Sequence, residues 1–161
     1  MLPVTDWQNK PYPLKSILML NEDVYNALVL VTEDLTLEQL NFVKPEVPNR
    51  KVEEMVNHLL DCQCRFYLQE LIFGEKQEEL KFNPVQNPVE LQERITEYYQ
   101  KMVNLYQKID PRDFGREIIT SWGQKLTVEL ACFQAITHVY YHVSEICFLR
   151  GLGGFYNQAL G

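Results

Sequence analysis

Four long segments of the chain carry apolar residues at helical spacing, and prolines or glycines separate each segment from the next. The segments run from Leu14 to about Asp34, over about residues 50–73, from Asn87 to about Lys108, and from Thr127 to Leu149 or Arg150. Apolar residues that recur every three or four positions are typical of helices with one buried face. Such helices bury these faces against one another, so the sequence predicts an all-α four-helix bundle.

Cap residues set the predicted helix ends. Asn and Thr accept hydrogen bonds from the free N–H groups of a first turn, and glycine allows the left-handed conformation after a last turn. The predicted N-caps are Asn49, Asn87 and Thr127; Thr36 to Gln39 form a capping box for a short helical turn; Gly74 ends the second long helix, and Gly151, Gly153 and Gly154 end the fourth.

The remaining segments are predicted to be connections of one domain that spans residues 1–161. Residues 1–13 contain three prolines and are expected to form an irregular arm. The connections through Pro45 and through residues 110–126 are long enough to cross over the bundle. Residues 117–122 favour β structure, but we expect residues 112–126 to be a crossing loop with little regular structure.

Composition excludes several classes of protein. The net charge of −7 and the absence of any Lys/Arg run argue against a nucleic-acid surface. No apolar run approaches the roughly 18 residues of a membrane span, and no secretory signal is recognisable, so we expect a cytoplasmic protein. The four cysteines form no Cys-x-x-Cys pair and are expected to be reduced. Cys62 and Cys64, two apart on a helix, point to nearly opposite sides and cannot jointly hold one metal ion.

The chain has three histidines, and two of them lie one helical turn apart in the fourth segment. His138 and His142 are about 40° apart around a helix, a spacing at which two imidazoles can hold one metal ion. Ala131 and Ala135 lie on the same face, in the turns before the two histidines, and their small side chains suggest open space there. Two imidazoles rarely hold zinc well, and His58 is the remaining histidine. The alternative is that each histidine is a packed residue of the core or its boundary.

Other bundle-type sites fit the sequence less well. The Glu-x-x-His motifs of di-iron proteins are absent, since Met55, Ala135 and Val139 stand three residues before the histidines. Val139 also stands where a His-Glu-x-x-His zinc protease has its glutamate. No Cys-x-x-Cys-His haem motif occurs, and the glycines near residue 153 follow a helix instead of opening one.

Two segments resemble the DinB/YfiT-like family of small four-helix bundles. LTLEQLNFVKPEVPNRKVEEMVNHLLDCQCRF, residues 35–66, is similar to the family's Leu-Thr-x-Glu-Gln-Leu segment, which a helix with a central histidine follows. KLTVELACFQAITHVYYHVSEICFLRGLGG, residues 125–154, is similar to its last helix, with His-x-x-Tyr-His and Leu-Arg-x-Leu-Gly. The resemblance extends from the first helix to Gly154 and implies the family's fold, a bundle with long crossover connections.

The resemblance also implies a metal site. Position by position, the family's metal ligands fall on His58, His138 and His142, which are all the histidines of the chain. Many members follow the last histidine with Arg-Gly-Gln, where this chain has Val-Ser-Glu, and Glu145 is the residue that can replace those polar groups. Some relatives are transferases or isomerases that use low-molecular-weight thiols.

These observations lead to two hypotheses about function. The first is a divalent-metal enzyme, with zinc or nickel favoured over iron, in which the ion activates a thiol for S-transfer or water for hydrolysis. Its ligand would be a small molecule, such as a low-molecular-weight thiol, and the candidate pocket groups are Gln134, Glu145, Tyr141 and Trp122. The second is a non-catalytic metal-binding or structural bundle. Nine tyrosines and eight phenylalanines suit an interface as well as a pocket, and we predict a homodimer.

Overall fold

The computed structural model describes residues 2–3 and 5–156 of the chain. Its helices are α1 (Leu14–Leu30), α2 (Leu37–Leu40), α3 (Val52–Asp61) continued by a π-helix (Cys62–Ile72), α4 (Pro88–Gln107), a short 3-10 turn (Pro111–Asp113) and α5 (Val128–Gly153). The strands are β1 (Glu117–Ile119) and β2 (Lys125–Thr127). Residues 2–3 and 5–13 form no helix or strand, as expected for an irregular arm.

Four long helical elements form the bundle. Helix α1 packs against α4 and α5, while α5 also packs against α3 and the π-helix. Fully buried aliphatic and tyrosine side chains from all four elements fill the centre, among them Leu18, Leu59, Tyr99 and Ile146. The predicted four-helix bundle is therefore confirmed.

The second long helix changes its hydrogen bonding at Cys62. From there to Ile72 the chain forms a π-helix, a helix in which N–H groups bond to carbonyls five residues back. The last of these bonds runs from Phe73 N to Leu68 O at 3.0 Å. The sequence predicts one helix over residues 50–73, and the hydrophobic stripe alone does not distinguish the wider turn from an ordinary one.

The expectation of an irregular loop over residues 112–126 is wrong. β1 and β2 pair antiparallel, with Ile118 opposite Leu126, and both of these side chains are buried. Gly123 turns the chain at φ +84°, a conformation that glycine adopts without strain. The β-prone residues form a strand because β2 follows at hairpin distance and supplies the partner.

Helix ends agree with the predicted caps at four positions, among them Gly74, which follows the π-helix at φ +72°, and differ at two. Asn87 and Thr127 cap α4 and α5, and Thr36 forms the capping box of α2. Asn49 does not cap α3, because its amide donates to Lys44 O at 3.0 Å and holds the preceding loop. Helix α5 continues to Gly153, beyond the predicted Leu149 or Arg150, since the first glycine here with positive φ is Gly154, at +73°.

The described helices include no segment that is long and apolar enough to cross a bilayer. All four cysteines are free thiols.

Candidate metal centre

Histidines on two packed helices face one another across the bundle. His138 and His142 lie one turn apart on α5, and His58 lies on α3, which packs against α5. The ring centroid of His58 is 5.4 Å from that of His138 and 5.0 Å from that of His142. The centroids of His138 and His142 are 4.6 Å apart. The structure therefore brings all three histidines of the chain into one cluster.

A hydrogen-bond chain on α5 orders two of these rings. Glu145 Oε2 lies 2.6 Å from His142 Nδ1, and His142 Nε2 lies 3.1 Å from His138 Nε2. If the carboxylate accepts from Nδ1–H of a neutral His142, then His142 Nε2 carries the lone pair and His138 Nε2–H donates to it. His138 Nδ1 is then a bare acceptor. Among the described residues, this atom is one of the buried side-chain nitrogens without a hydrogen-bond partner.

Cys62 lies beside the third ring. Its Sγ is 3.7 Å from His58 Nδ1 and 3.7 Å from His58 Nε2. Ligand atoms of His58, Cys62 and His138 all lie within 4.8 Å of one another. Cys62 follows His58 by four residues, so the sequence alone places both side chains on one face of the helix, but it predicts a thiol that packs beside His58 and not a ligand.

Burial favours the neutral form of two of the three rings, those of His58 and His138. Burial lowers the pKa of His138 to about 4, and the charges of His142 and His58 add to this shift. Burial, followed by the charges of His142 and Arg50, also lowers the pKa of His58. Neutral imidazole is the form that binds metal ions, so these two rings are ready to act as ligands at neutral pH. In the absence of a metal ion, burial raises the pKa of the Cys62 thiol.

A cavity of about 700 Å³ opens next to the histidines. Polar and charged groups line one part of it, and apolar side chains line the rest; the lining residues are Pro48, Asn49, Arg50, Met55, His58, His138, Tyr141, His142, Glu145, Phe148 and Leu149. This is the size range of small-molecule sites. The cavity lies toward the C-terminal half of α5, whereas Ala131 and Ala135, expected to leave open space, are fully buried.

Two of the four candidate pocket groups reach this cavity. Glu145 and Tyr141 line it. Within the described residues, Gln134 and Trp122 are not among the lining side chains. Trp122 lies on the hairpin, where its ring stacks on Phe66 and its Nε1 donates to the side chain of the nearby Gln124.

Buried polar contacts hold the helices that carry the cluster. Gln63, next to Cys62, is fully buried and donates from Nε2 to Asn21 Oδ1 at 2.8 Å and to Tyr106 OH at 3.0 Å. Its Oε1 accepts from Tyr25 OH at 2.8 Å. These bonds tie the start of the π-helix to α1 and α4. Sites supported in this way keep their geometry because the supporting side chains cannot rotate freely.

The C-terminal part of α5 is fixed to the turn after α1 by an ion pair. Arg150 is 3% exposed and donates to both carboxylate oxygens of Asp34, at 2.7 and 2.8 Å, and to Val31 O at 3.0 Å. The arginine of the Leu-Arg-x-Leu-Gly segment thus has a structural role: it fixes the end of the helix that carries His138 and His142.

Comparison with known structures identifies proteins of similar fold. No protein-family model matches the sequence, and no curated protein matches it. YfiT from Bacillus subtilis, described as a probable metal-dependent hydrolase with an unusual four-helix bundle topology, superimposes with a TM-score of 0.67. The two sequences are 16% identical, and the match covers 96% of this chain and 95% of YfiT.

A histidine-to-alanine mutant of the mycothiol-dependent maleylpyruvate isomerase superimposes with a TM-score of 0.61 at 11% identity. The match covers 89% of this chain but 63% of the isomerase, so this chain is similar to only part of that enzyme. At these identities the comparisons establish the fold, and the chain has the DinB/YfiT-like four-helix bundle that its sequence predicts.

Proposed function

We propose that the protein is a divalent-metal enzyme that uses a small thiol as its nucleophile, with His58, His138 and His142 as metal ligands. The observation that carries this proposal is the convergence of three imidazoles from two helices beside a cavity of about 700 Å³. The proteins of similar fold add support, since one is described as metal-dependent and the other as mycothiol-dependent.

The donor set fits a divalent ion. The 3.1 Å between Nε2 of His138 and Nε2 of His142 is close to the distance of about 3.3 Å between two nitrogen ligands of a tetrahedral zinc ion. For His138 to bind an ion through Nε2, the hydrogen of its ring would move to Nδ1, which is buried and has no protein partner in the described structure. Imidazole ligands suit zinc, nickel and iron, and we favour zinc or nickel.

Glu145 has two roles in this proposal. It accepts the Nδ1 hydrogen of His142 and so leaves His142 Nε2 free to bind the ion, an arrangement common around metal-bound histidines. The side chain of Glu145 is 40% exposed and lines the cavity, where the same carboxylate is the candidate acceptor for the proton of an entering nucleophile. A bound divalent ion lowers the pKa of a thiol or water molecule next to it.

The cavity favours a substrate with an anionic group and an apolar body. Arg50 lines its mouth, and its guanidinium can bind a carboxylate in bidentate fashion. Met55, Phe148 and Leu149 provide apolar wall. In S-transfer, the thiolate sulphur forms a bond to an electrophilic carbon, and the leaving group departs with the electron pair of the broken bond. With water in place of the thiol, the same site would act as a hydrolase, the activity that is described as probable for YfiT.

We also propose that the protein works as a cytoplasmic homodimer. The exposed aromatic side chains of α5, Tyr140, Tyr141 and Phe148, offer apolar surface to a second subunit. Analytical ultracentrifugation would detect the dimer.

The test is a turnover screen on metal-reconstituted protein. Low-molecular-weight thiols would be combined with small carboxylate-bearing electrophiles, and each electrophile would also be incubated without thiol to detect hydrolysis. His58→Ala should abolish turnover, because it removes the imidazole ligand that α3 contributes. Gln134→Ala, outside the cavity, should leave turnover unchanged.

The outcomes distinguish the alternatives. Thiol-dependent turnover that requires His58 supports the transferase, and thiol-independent turnover that requires it supports the hydrolase. Stoichiometric metal with no turnover in either arm would favour a non-catalytic metal protein. Full metal retention in His58→Ala would overturn the three-histidine site.

A further inference from the structure

We propose that Cys62 is a fourth protein ligand, so that the metal centre is a Cys-His₃ site. This inference rests on the proposed metal site and changes its coordination. His58 and Cys62 form one pair at i, i+4, and His138 and His142 form another. Since α5 packs against both α3 and the π-helix, the two pairs face each other.

The backbone keeps the first pair in register. The N–H of Cys62 bonds to His58 O, so the turn between these residues is an ordinary α-turn, although the π-helix begins at Cys62. Both side chains therefore leave the helix on one side. The next residue, Gln63, points the other way, into its buried hydrogen-bond network, which fixes the rotation of the helix about its axis.

Two of the six ligand–ligand distances can be compared with four-coordinate geometry, and both are close to it. From bond lengths of about 2.0–2.1 Å for nitrogen and 2.3 Å for sulphur, two ligands of a tetrahedral zinc ion lie about 3.3 Å apart for two nitrogens and about 3.5 Å apart for nitrogen and sulphur. The corresponding distances here are 3.1 Å between His138 Nε2 and His142 Nε2, and 3.7 Å between Cys62 Sγ and His58. Each differs from the ideal distance by about 0.2 Å.

Rotation of the His58 ring would complete the four-ligand site. Cys62 Sγ is equidistant from the two nitrogens of His58, so neither ring lone pair is yet directed at an ion shared with the sulphur. The torsion about Cβ–Cγ of histidine has broad minima, and turning the ring about it directs one nitrogen into the cluster. Ligation breaks the S–H bond, forms the sulphur–metal bond and releases the proton to solvent.

Cys62 differs from the other cysteines of the chain. Cys64 and Cys132 are buried in the core, where a free cysteine acts as a small apolar side chain. Cys147 is exposed on α5. Cys62 is half-buried and its sulphur contacts an imidazole. Core filling therefore explains two of the other cysteines but does not explain the position of Cys62.

The position of Cys62 leaves the cavity free. Within the described residues, Cys62 is not among the side chains that line the cavity, whereas the three histidines are. The thiol thus approaches the cluster from outside the cavity, and the cavity side remains for a substrate, which would add a fifth ligand or displace the cysteine. A thiolate ligand also favours zinc over harder ions such as manganese.

Cobalt(II) substitution tests the inference without any measurement of activity. The wild-type protein loaded with cobalt(II) should show an intense sulphur-to-cobalt charge-transfer band in the near ultraviolet. Cys62→Ser should lose this band and keep weaker visible bands from the histidine ligands, while Cys147→Ser should match the wild type. Zinc affinity of Cys62→Ser should fall on the order of 10- to 100-fold or more, since even outer-shell partners of a metal contribute that much.

A second measurement uses the unmutated chain, so it does not depend on the folding of a variant. Iodoacetamide labelling followed by mass spectrometry should show that zinc protects Cys62 and leaves the labelling of Cys147 unchanged. Cobalt bound without the charge-transfer band, a band that survives in Cys62→Ser, or equal labelling of Cys62 with and without zinc would each overturn the fourth ligand and leave the three-histidine site standing. Failure of the wild type to bind cobalt or zinc would overturn the proposed metal site itself.

Discussion

Metal binding should couple α3 to α5 and stabilise the folded protein. His58 and His138 are 80 positions apart in the chain but have rings 5.4 Å apart in the fold. The unfolded chain offers only isolated pairs of donors, so an ion binds the native state far better. At a free zinc concentration of 100 times the dissociation constant, the native state gains about 2.7 kcal/mol. For a chain of this size, that corresponds to an increase in melting temperature of about 5–11 °C.

The assay is thermal unfolding followed by circular dichroism at pH 7.5, with buffered zinc or with a chelator, on protein of known metal content. His58→Ala should melt near the wild-type temperature in chelator and show a much smaller zinc-induced increase, because it lacks the imidazole ligand of α3. Gln134→Ala should keep the full increase. Equal melting temperatures with zinc and with chelator, at confirmed stoichiometric loading, would refute the coupling of the two helices.

Three further outcomes are expected. The pKa of His138 is about 4 in the folded protein and about 6.5 in the unfolded chain, so the unfolded chain takes up a proton at a higher pH. The free energy of unfolding of the metal-free protein should therefore fall as the pH falls from about 6.5 to about 4. Urea titrations should show a smaller fall for His138→Gln. Glu145→Gln, assayed by zinc titration, should weaken zinc binding about 10- to 100-fold, because the carboxylate orients a ligand ring. Asp34→Ala should lower the free energy of unfolding by about 1.5–3 kcal/mol, because it leaves Arg150 buried without its carboxylate partner. The matched control is Asp110→Ala, which removes an exposed ion pair and should have almost no effect in the same urea titrations.

The fold could be predicted from the sequence to the extent that local signals specify it. Asn87 and Thr127 sit where an apolar period begins, and both form the expected caps. The hairpin was missed because β1 is only three residues long and acquires its hydrogen bonds from a second segment. The π-helix was missed because its apolar residues continue the stripe of α3 without a visible change of period. Each missed feature depends on contacts between segments.

The candidate site, like the fold, could be predicted from the sequence only in part. Helical spacing alone places His138 next to His142 and puts Glu145 one turn from His142 and two turns from His138. Whether His58 faces them depends on the rotation of α3, which the network around Gln63 fixes and which no pattern within α3 specifies. Cys62 follows His58 by four residues, so the sequence predicts that the thiol lies beside this ring, but helical spacing does not distinguish a packed thiol from a metal ligand.

The histidine cluster lowers the stability of the fold unless a ligand binds to it. Helix α5 packs against three other helical elements, yet one of its faces carries two histidines, and one buried nitrogen of His138 has no hydrogen-bond partner in the described structure. A buried polar atom left unpaired costs about 1–3 kcal/mol, and apolar side chains at these positions would avoid that cost. The convergence of three imidazoles despite this cost favours a role in binding an ion over a purely structural role. The same argument extends to Cys62, whose sulphur contacts the ring of His58 although the apolar core is only two residues further along the chain, at Cys64.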